Sequence, residues 1–229
     1  MKLFLSPFKP AMYLGAFLVL CIAVPLGRFE FGDGGLWTMA GAAALGLLFA
    51  IGGSHWPAMN QLGASFNRWM DSAVLTALVA AGILAPLTAA SAVYHQAKSP
   101  HYLRYDPFIV TNGQPMPWID GNGEPYFVEG AAQDLSSVVS TGLLHFVVFF
   151  TMALVGVAIG LARGTRMQWF MLGGVFVGGF VGAFSGALSA DVLAPSNPAT
   201  PYIIFVMVAG LIVLAASAIV FARTRRFVQ

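Results

Sequence analysis

The sequence predicts an all-α polytopic membrane protein with six transmembrane helices and one ordered segment outside the bilayer. Three observations lead there. Of 229 residues, 58% are hydrophobic and 9% charged, whereas ordinary soluble domains carry about 25% charged residues. The apolar residues gather into runs that match the ~20 residues a helix needs to cross a bilayer. The charges fall between those runs, and most of the basic ones collect on one side.

Six windows have the required length: about 11–27, 35–53, 70–93, 139–162, 168–190 and 201–222. Together they make residues 1–229 one transmembrane domain. The first window follows a basic flank, MKLFLSPFKP, with no convincing small-residue cleavage site, so it reads as a retained span and not a signal peptide. Small residues and Pro86 interrupt the second and third windows, which is tolerated where neighbouring helices or water satisfy the freed carbonyls. Asp71 opens the third, where the helix macrodipole favours a carboxylate. Asp134 or Ser136 is expected to cap the fourth. In the fifth, Gly174, Gly178, Gly182 and Gly186 recur every four residues. Such a stripe lets backbones approach closely in lipid, either inside one bundle or at a dimer seam.

Orientation follows from the basic residues. Lys2, Lys9, Arg68, Arg163, Arg166, Arg223, Arg225 and Arg226 fall on one side, and Arg28, Lys98 and Arg104 on the other. The acids are reversed, with Asp71 alone on the first side. This places both termini and residues 54–69 in the cytoplasm, and residues 94–138 outside; the even span count agrees. The outside segment, YDPFIVTNGQPMPWIDGNGEPYFVEG, alternates short β-prone runs with Asn-Gly and Gly-Asn-Gly turn signals. It reads as a hairpin or compact lid. The net charge of +2 is no nucleic-acid signature, because the charge is sorted across a membrane. The single cysteine, Cys21, excludes an intrachain disulfide.

Candidate chemistry is sparse. Membrane haems take axial imidazoles from facing spans, but His145 is the one histidine well inside a predicted span. His55 lies at the opposite face from His95 and His101. His145 therefore reads as a polar contact between helices, and as the intramembrane polar candidate by default. Asp120, Asn122 and Glu124 resemble the first half of a calcium loop, yet Ala131 stands where the closing acid belongs. A hairpin turn is the stronger reading. The chain shows no phosphate-binding loop, Cys-His metal spacing or nucleophile motif, so neither a metal nor a catalytic site of its own is expected.

The stretch PAMNQLGASFNRW, from Pro57 to Trp69, is the one internal cytoplasmic segment long enough to meet a partner. Interfacial anchoring alone accounts for Arg68 and Trp69. It does not account for Pro57, Gly63 and Ser65. The order Pro57, Gly63, Ser65, a basic residue and Trp69 at the start of a span resembles the intracellular loop of small type-two ABC transporter permeases. Downstream, HFVVFF, Gly156, Gly160, the basic turn Arg163 to Arg166 and Trp169 are similar too. The resemblance covers residues 50 to 190 or so. Two features depart from it: Phe66 and Asn67 stand where the family often has two arginines, and the outside segment is longer than in the plainest members.

The resemblance implies a half-transporter that dimerises with itself or with a related permease. A separate cytoplasmic ATP-binding subunit would drive it and would hold the ATP and magnesium, since this chain has no Walker motif. Pro57, Gly63, Ser65, Arg68 and Trp69 would be the ATPase-coupling residues. The scarcity of charge in the spans favours export of an amphipathic or apolar cargo such as a peptide, lipid or drug over a small ion. The rival expectation is a non-transporting anchor or accessory subunit of a respiratory or envelope complex, with the outside segment as its binding surface.

Overall fold

The computed structural model describes residues 1–6, 10–31, 34–98, 108–110 and 133–175. The described residues are mostly helical and contain no strand. In order they form α1 (Lys2–Leu5), α2 (Pro10–Phe31), α3 (Gly34–Gly53), α4 (Trp56–Gln61), α5 (Phe66–Lys98) and α6 (Leu135–Leu161), and the chain is helical again over 166–175. Among them, Ala11–Arg28, Gly35–Gln61, Phe66–His95 and Leu135–Leu161 are long and apolar enough to cross a membrane. These coincide with the first four expected windows. The fifth window begins within 166–175, and its remainder and the sixth lie outside the described residues. So do Gly178, Gly182 and Gly186, the calcium-like Asp120, Asn122 and Glu124, and most of the expected lid.

The helices start earlier than the apolar windows. α5 runs for 33 residues, about 50 Å of helix, against ~30 Å of hydrocarbon. Its first turn, FNRW, is part polar, which is why hydropathy alone places the span start near residue 70. Asp71 consequently lies in the second turn, exposed, and does not open the helix.

The packing is a four-helix diamond: α6 sits against α3 and α5 on one side, and α2 against α3 and α5 on the other. The tightest seam joins α3 and α6. A Cβ added at Gly156 would collide with the Gly46 carbonyl oxygen, and one at Gly160 with the Ala50 carbonyl oxygen. In lipid there is little hydrophobic drive between apolar helices, so association rests on such close backbone approach. Thr76 and Thr88, both buried in α5, donate their hydroxyls to the carbonyls of Ser72 (2.7 Å) and Leu84 (2.8 Å). This back-bonding satisfies the polar groups within the helix itself, so they mark no site.

Candidate functional site

Two regions concentrate the unusual side chains, one at each end of the diamond. The first is built on α4 and the turn that follows. Pro57 occupies the first turn of α4, where its missing N–H leaves no bond unmade. The helix ends in a Schellman arrangement: Ala64 N donates to Met59 O and Gly63 N to Asn60 O, each at 3.0 Å. Gly63 takes φ +81° there, a left-handed conformation that glycine adopts without strain. The Ser65 carbonyl then accepts the Trp69 N–H at 3.0 Å as α5 begins.

Each element of this hairpin has one buried face. Trp56 and Met59 of α4 and Phe66 and Trp69 of α5 point inward. The Trp56 ring lies 5.1 Å from both Phe66 and Trp69, and Phe4 of α1 stacks 5.6 Å from Trp69 and 5.4 Å from Phe49. Outward stand Pro57, Asn60, Gln61, Ser65 and Arg68, with Leu62 at the tip, 82% exposed. Four of the five expected coupling residues, Pro57, Gly63, Ser65 and Arg68, thus share an exposed edge. Trp69 does not. It is fully buried, and the expected interfacial anchor is corrected to a core residue. The reason is helical phase: Phe66, Trp69, Ala73 and Ala77 recur at the spacing of one inward stripe.

At the opposite end lies a buried polar cluster. Arg28 near the end of α2, Thr38 in α3 and His145 in α6 are all fully buried. The guanidinium donates to Thr38 Oγ1, and its Nη2 stands 3.4 Å from His145 Nε2. His145 Nδ1 lies 2.8 Å from the Thr141 carbonyl oxygen. A carbonyl can only accept, so Nδ1 carries the proton and Nε2 presents its lone pair to the arginine. Residues 108–110 close over this cluster: Phe108 sits 5.9 Å from the imidazole, and Val110 N donates to Thr141 Oγ1 at 3.0 Å.

His145 therefore stands where the sequence placed it, inside a span and between helices. Both ring nitrogens face protein groups, so it is not offered as a metal or haem ligand. Among the described residues no group of three His, Cys, Asp or Glu side chains could hold a metal ion. Sequence reasoning missed Arg28, Thr38, Trp56 and Phe4. Arg28 had a signal, an arginine embedded in the apolar run VPLGRFEF. It passed as a loop charge because the helix continues three residues beyond it to Phe31.

Comparison with protein-family models, with curated proteins and with solved structures finds no match to this chain.

Proposed function

We propose that this chain is the permease subunit of an ABC transporter, an exporter of an amphipathic or apolar compound, worked by a separate ATP-binding subunit docked on α4. The observation that carries the reading is the build of the α4 hairpin. An exposed edge formed by Pro57, Asn60, Gln61, Leu62 and Arg68 rests on a buried aromatic floor of Trp56, Phe66 and Trp69. A connecting loop needs only to span a gap, whereas an element that transmits force must be seated on what it moves.

The route for that force is short. A push on α4 reaches α5 through the Trp56–Trp69 contact at 5.1 Å. It reaches α3 directly, because Ser54 and His55 alone separate α3 from α4. From α3 it passes to α6 through the backbone seam at Gly156 and Gly160. Arg68 offers a guanidinium that grips a carboxylate through two hydrogen bonds, which lysine cannot reproduce. The positive-inside distribution favours a cytoplasmic position for this edge, where an ATPase could reach it.

The test is co-purification of an ATP-binding subunit with the tagged chain, together with cargo-stimulated ATP hydrolysis. Gly63→Val forces a β-branched residue into φ +81°, costing on the order of 1–3 kcal/mol locally. Arg68→Glu reverses the charge beside it. The double variant is expected to insert and express near normally, to lose the ATPase and to lose transport. A double variant that keeps its ATPase and couples hydrolysis to transport removes this edge as the coupling element.

A further inference from the structure

α1 has four residues, too few for a helix to hold itself together in water. Its order comes from where Phe4 sits. The ring is fully buried, stacked on Phe49 at 22° between planes and leaning on Trp69 at 56°. One face lies so close on Gly52 that a Cβ there would collide with the ring's far end. The Phe4 backbone N–H donates to Ser72 Oγ at 3.0 Å, in a bond that is itself buried. Ser6 Oγ reaches Met59 Sδ of α4 at 3.7 Å. One short helix thus touches α3, α5 and α4 at once, while Met1 and Lys2 remain exposed.

The seated arrangement carries a penalty. Trp69 Nε1 is buried without a hydrogen-bond partner, and an unmet buried donor raises the free energy of the state that buries it. Phe4 leans on the Trp69 ring, so withdrawing it would give up that apolar contact and open a path for water toward the indole. Two opposing contributions of this kind make an element that can leave its seat without the bundle unfolding.

We propose that α1 is a latch. With Phe4 in the slot formed by Phe49, Gly52 and Trp69, α4 is held against the bundle through Trp69–Trp56 and Ser6–Met59. With Phe4 withdrawn, α4 is free to shift its stance. The latch acts on α4 whatever binds there, so it does not stand or fall with the ATPase reading.

Thiol labelling of the full-length protein in nanodiscs tests this directly. Cys21 is the sole cysteine, so a Cys21→Ser background is silent. In it, Ser72→Cys reports the slot, Met59→Cys reports the α4 underside, Asn67→Cys serves as the exposed control and Ala81→Cys as the buried mid-span control. The slot and underside positions should react with a maleimide at least about tenfold slower than the exposed control, as locally protected sites do. Phe4→Ala removes the ring. Gly52→Ala puts a Cβ into the space of the ring's far end and so displaces it without changing the sequence of α1. Either change should bring both reporters to within about threefold of the exposed control, while position 81 stays protected.

Several outcomes overturn the latch. Fast labelling at position 72 with Phe4 in place, where the cysteine sulfur stands in for Ser72 Oγ as the acceptor of the Phe4 N–H, means that the ring does not keep α1 seated. Continued protection in both variants means that something other than Phe4 holds α1. Exposure of position 72 without position 59 means that α1 does not restrain α4. Exposure of position 81 in parallel makes Phe4 a core residue of the whole bundle and not a local catch.

Discussion

The bundle is joined at its two ends by opposite means, with α3 common to both joints. At the α4 end, Phe4, Phe49, Trp56, Phe66 and Trp69 interlock by shape, with ring centroids 5.1 to 6.2 Å apart. At the other end, Arg28, Thr38 and His145 meet through hydrogen bonds. A shape-based joint loses stability in proportion to the volume removed and tolerates lost polarity. A hydrogen-bonded joint tolerates change in shape but not the removal of one partner, which strands the other. The first kind can slip as a unit and suits an element that moves. The second is all-or-none and suits a fixed point.

The largest expected effect tests the first half of that contrast. Trp69→Ala empties the centre of the aromatic joint and should destabilise the protein in detergent by about 3–5 kcal/mol, the range for large aromatic truncations in a core. A variant melting near the parent would show that the ring cluster is a lining and not a joint.

A smaller loss is expected at the polar end. His145→Leu preserves bulk but removes the acceptor that Nε2 presents to Arg28. Leaving a charged donor without that acceptor should cost about 2 kcal/mol, although hydrogen bonds between membrane helices often measure less. His145→Gln restores a side-chain acceptor and should recover more than half of the loss in the same denaturation series. If leucine and glutamine behave alike, the imidazole contributes packing alone and the contrast between the ends collapses.

The smallest stability change should come from Trp69→Phe. It keeps an aromatic ring and deletes the indole N–H that has no partner in the seated state. The lost ring volume and the removed polar penalty oppose each other, so the net change should stay under about 1 kcal/mol. A loss as large as that of Trp69→Ala would mean that the N–H finds a partner after all.

These contrasts also mark what could be read from the residues in advance. Apolar windows located α2, α3, α5 and α6, because length and hydropathy are what a bilayer selects. The small residues Gly156 and Gly160 were visible, but their partners Gly46 and Ala50 were not, since a helix–helix seam pairs residues about a hundred positions apart. Helical phase near span ends was the weak point. It sent Trp69 to the rim when it belongs to the core, and it sent Arg28 to a loop when it is buried. Gly63 was the reverse case. A glycine in a segment that must turn back toward the membrane marks a turn or a close approach of the backbone, and φ +81° is what is observed. The buried cluster at the other end could not be anticipated, because Arg28, Thr38 and His145 are brought together only by the fold.

The last prediction concerns pH and again separates the two ends. Asp134 caps α6 at the polar end. Its carboxylate accepts the Ser137 backbone N–H at 3.1 Å and the Ser136 hydroxyl. These bonds, the Ser136 hydroxyl foremost, hold the carboxyl down to about 2, from an ordinary value of 3.8. A carboxyl depressed in the folded state contributes stability that is fully present above its unfolded value and is lost as pH falls through the folded one. The cap should therefore be intact at pH 5 and weaken between pH ~4 and ~2. Because the group is fully exposed to solvent, the effect should be local fraying of the first turn of α6 and not unfolding. Amide hydrogen exchange at Ser137 and Val138 is the measurement, expressed as protection relative to Asp134→Asn, which keeps an acceptor but cannot titrate. Protection in the parent should fall toward pH 2 and stay level in the variant, with the amides of Phe66 to Trp69 unchanged by the substitution. Parallel loss in parent and variant would assign the acid response to some other group, and would remove Asp134 as the titrating cap.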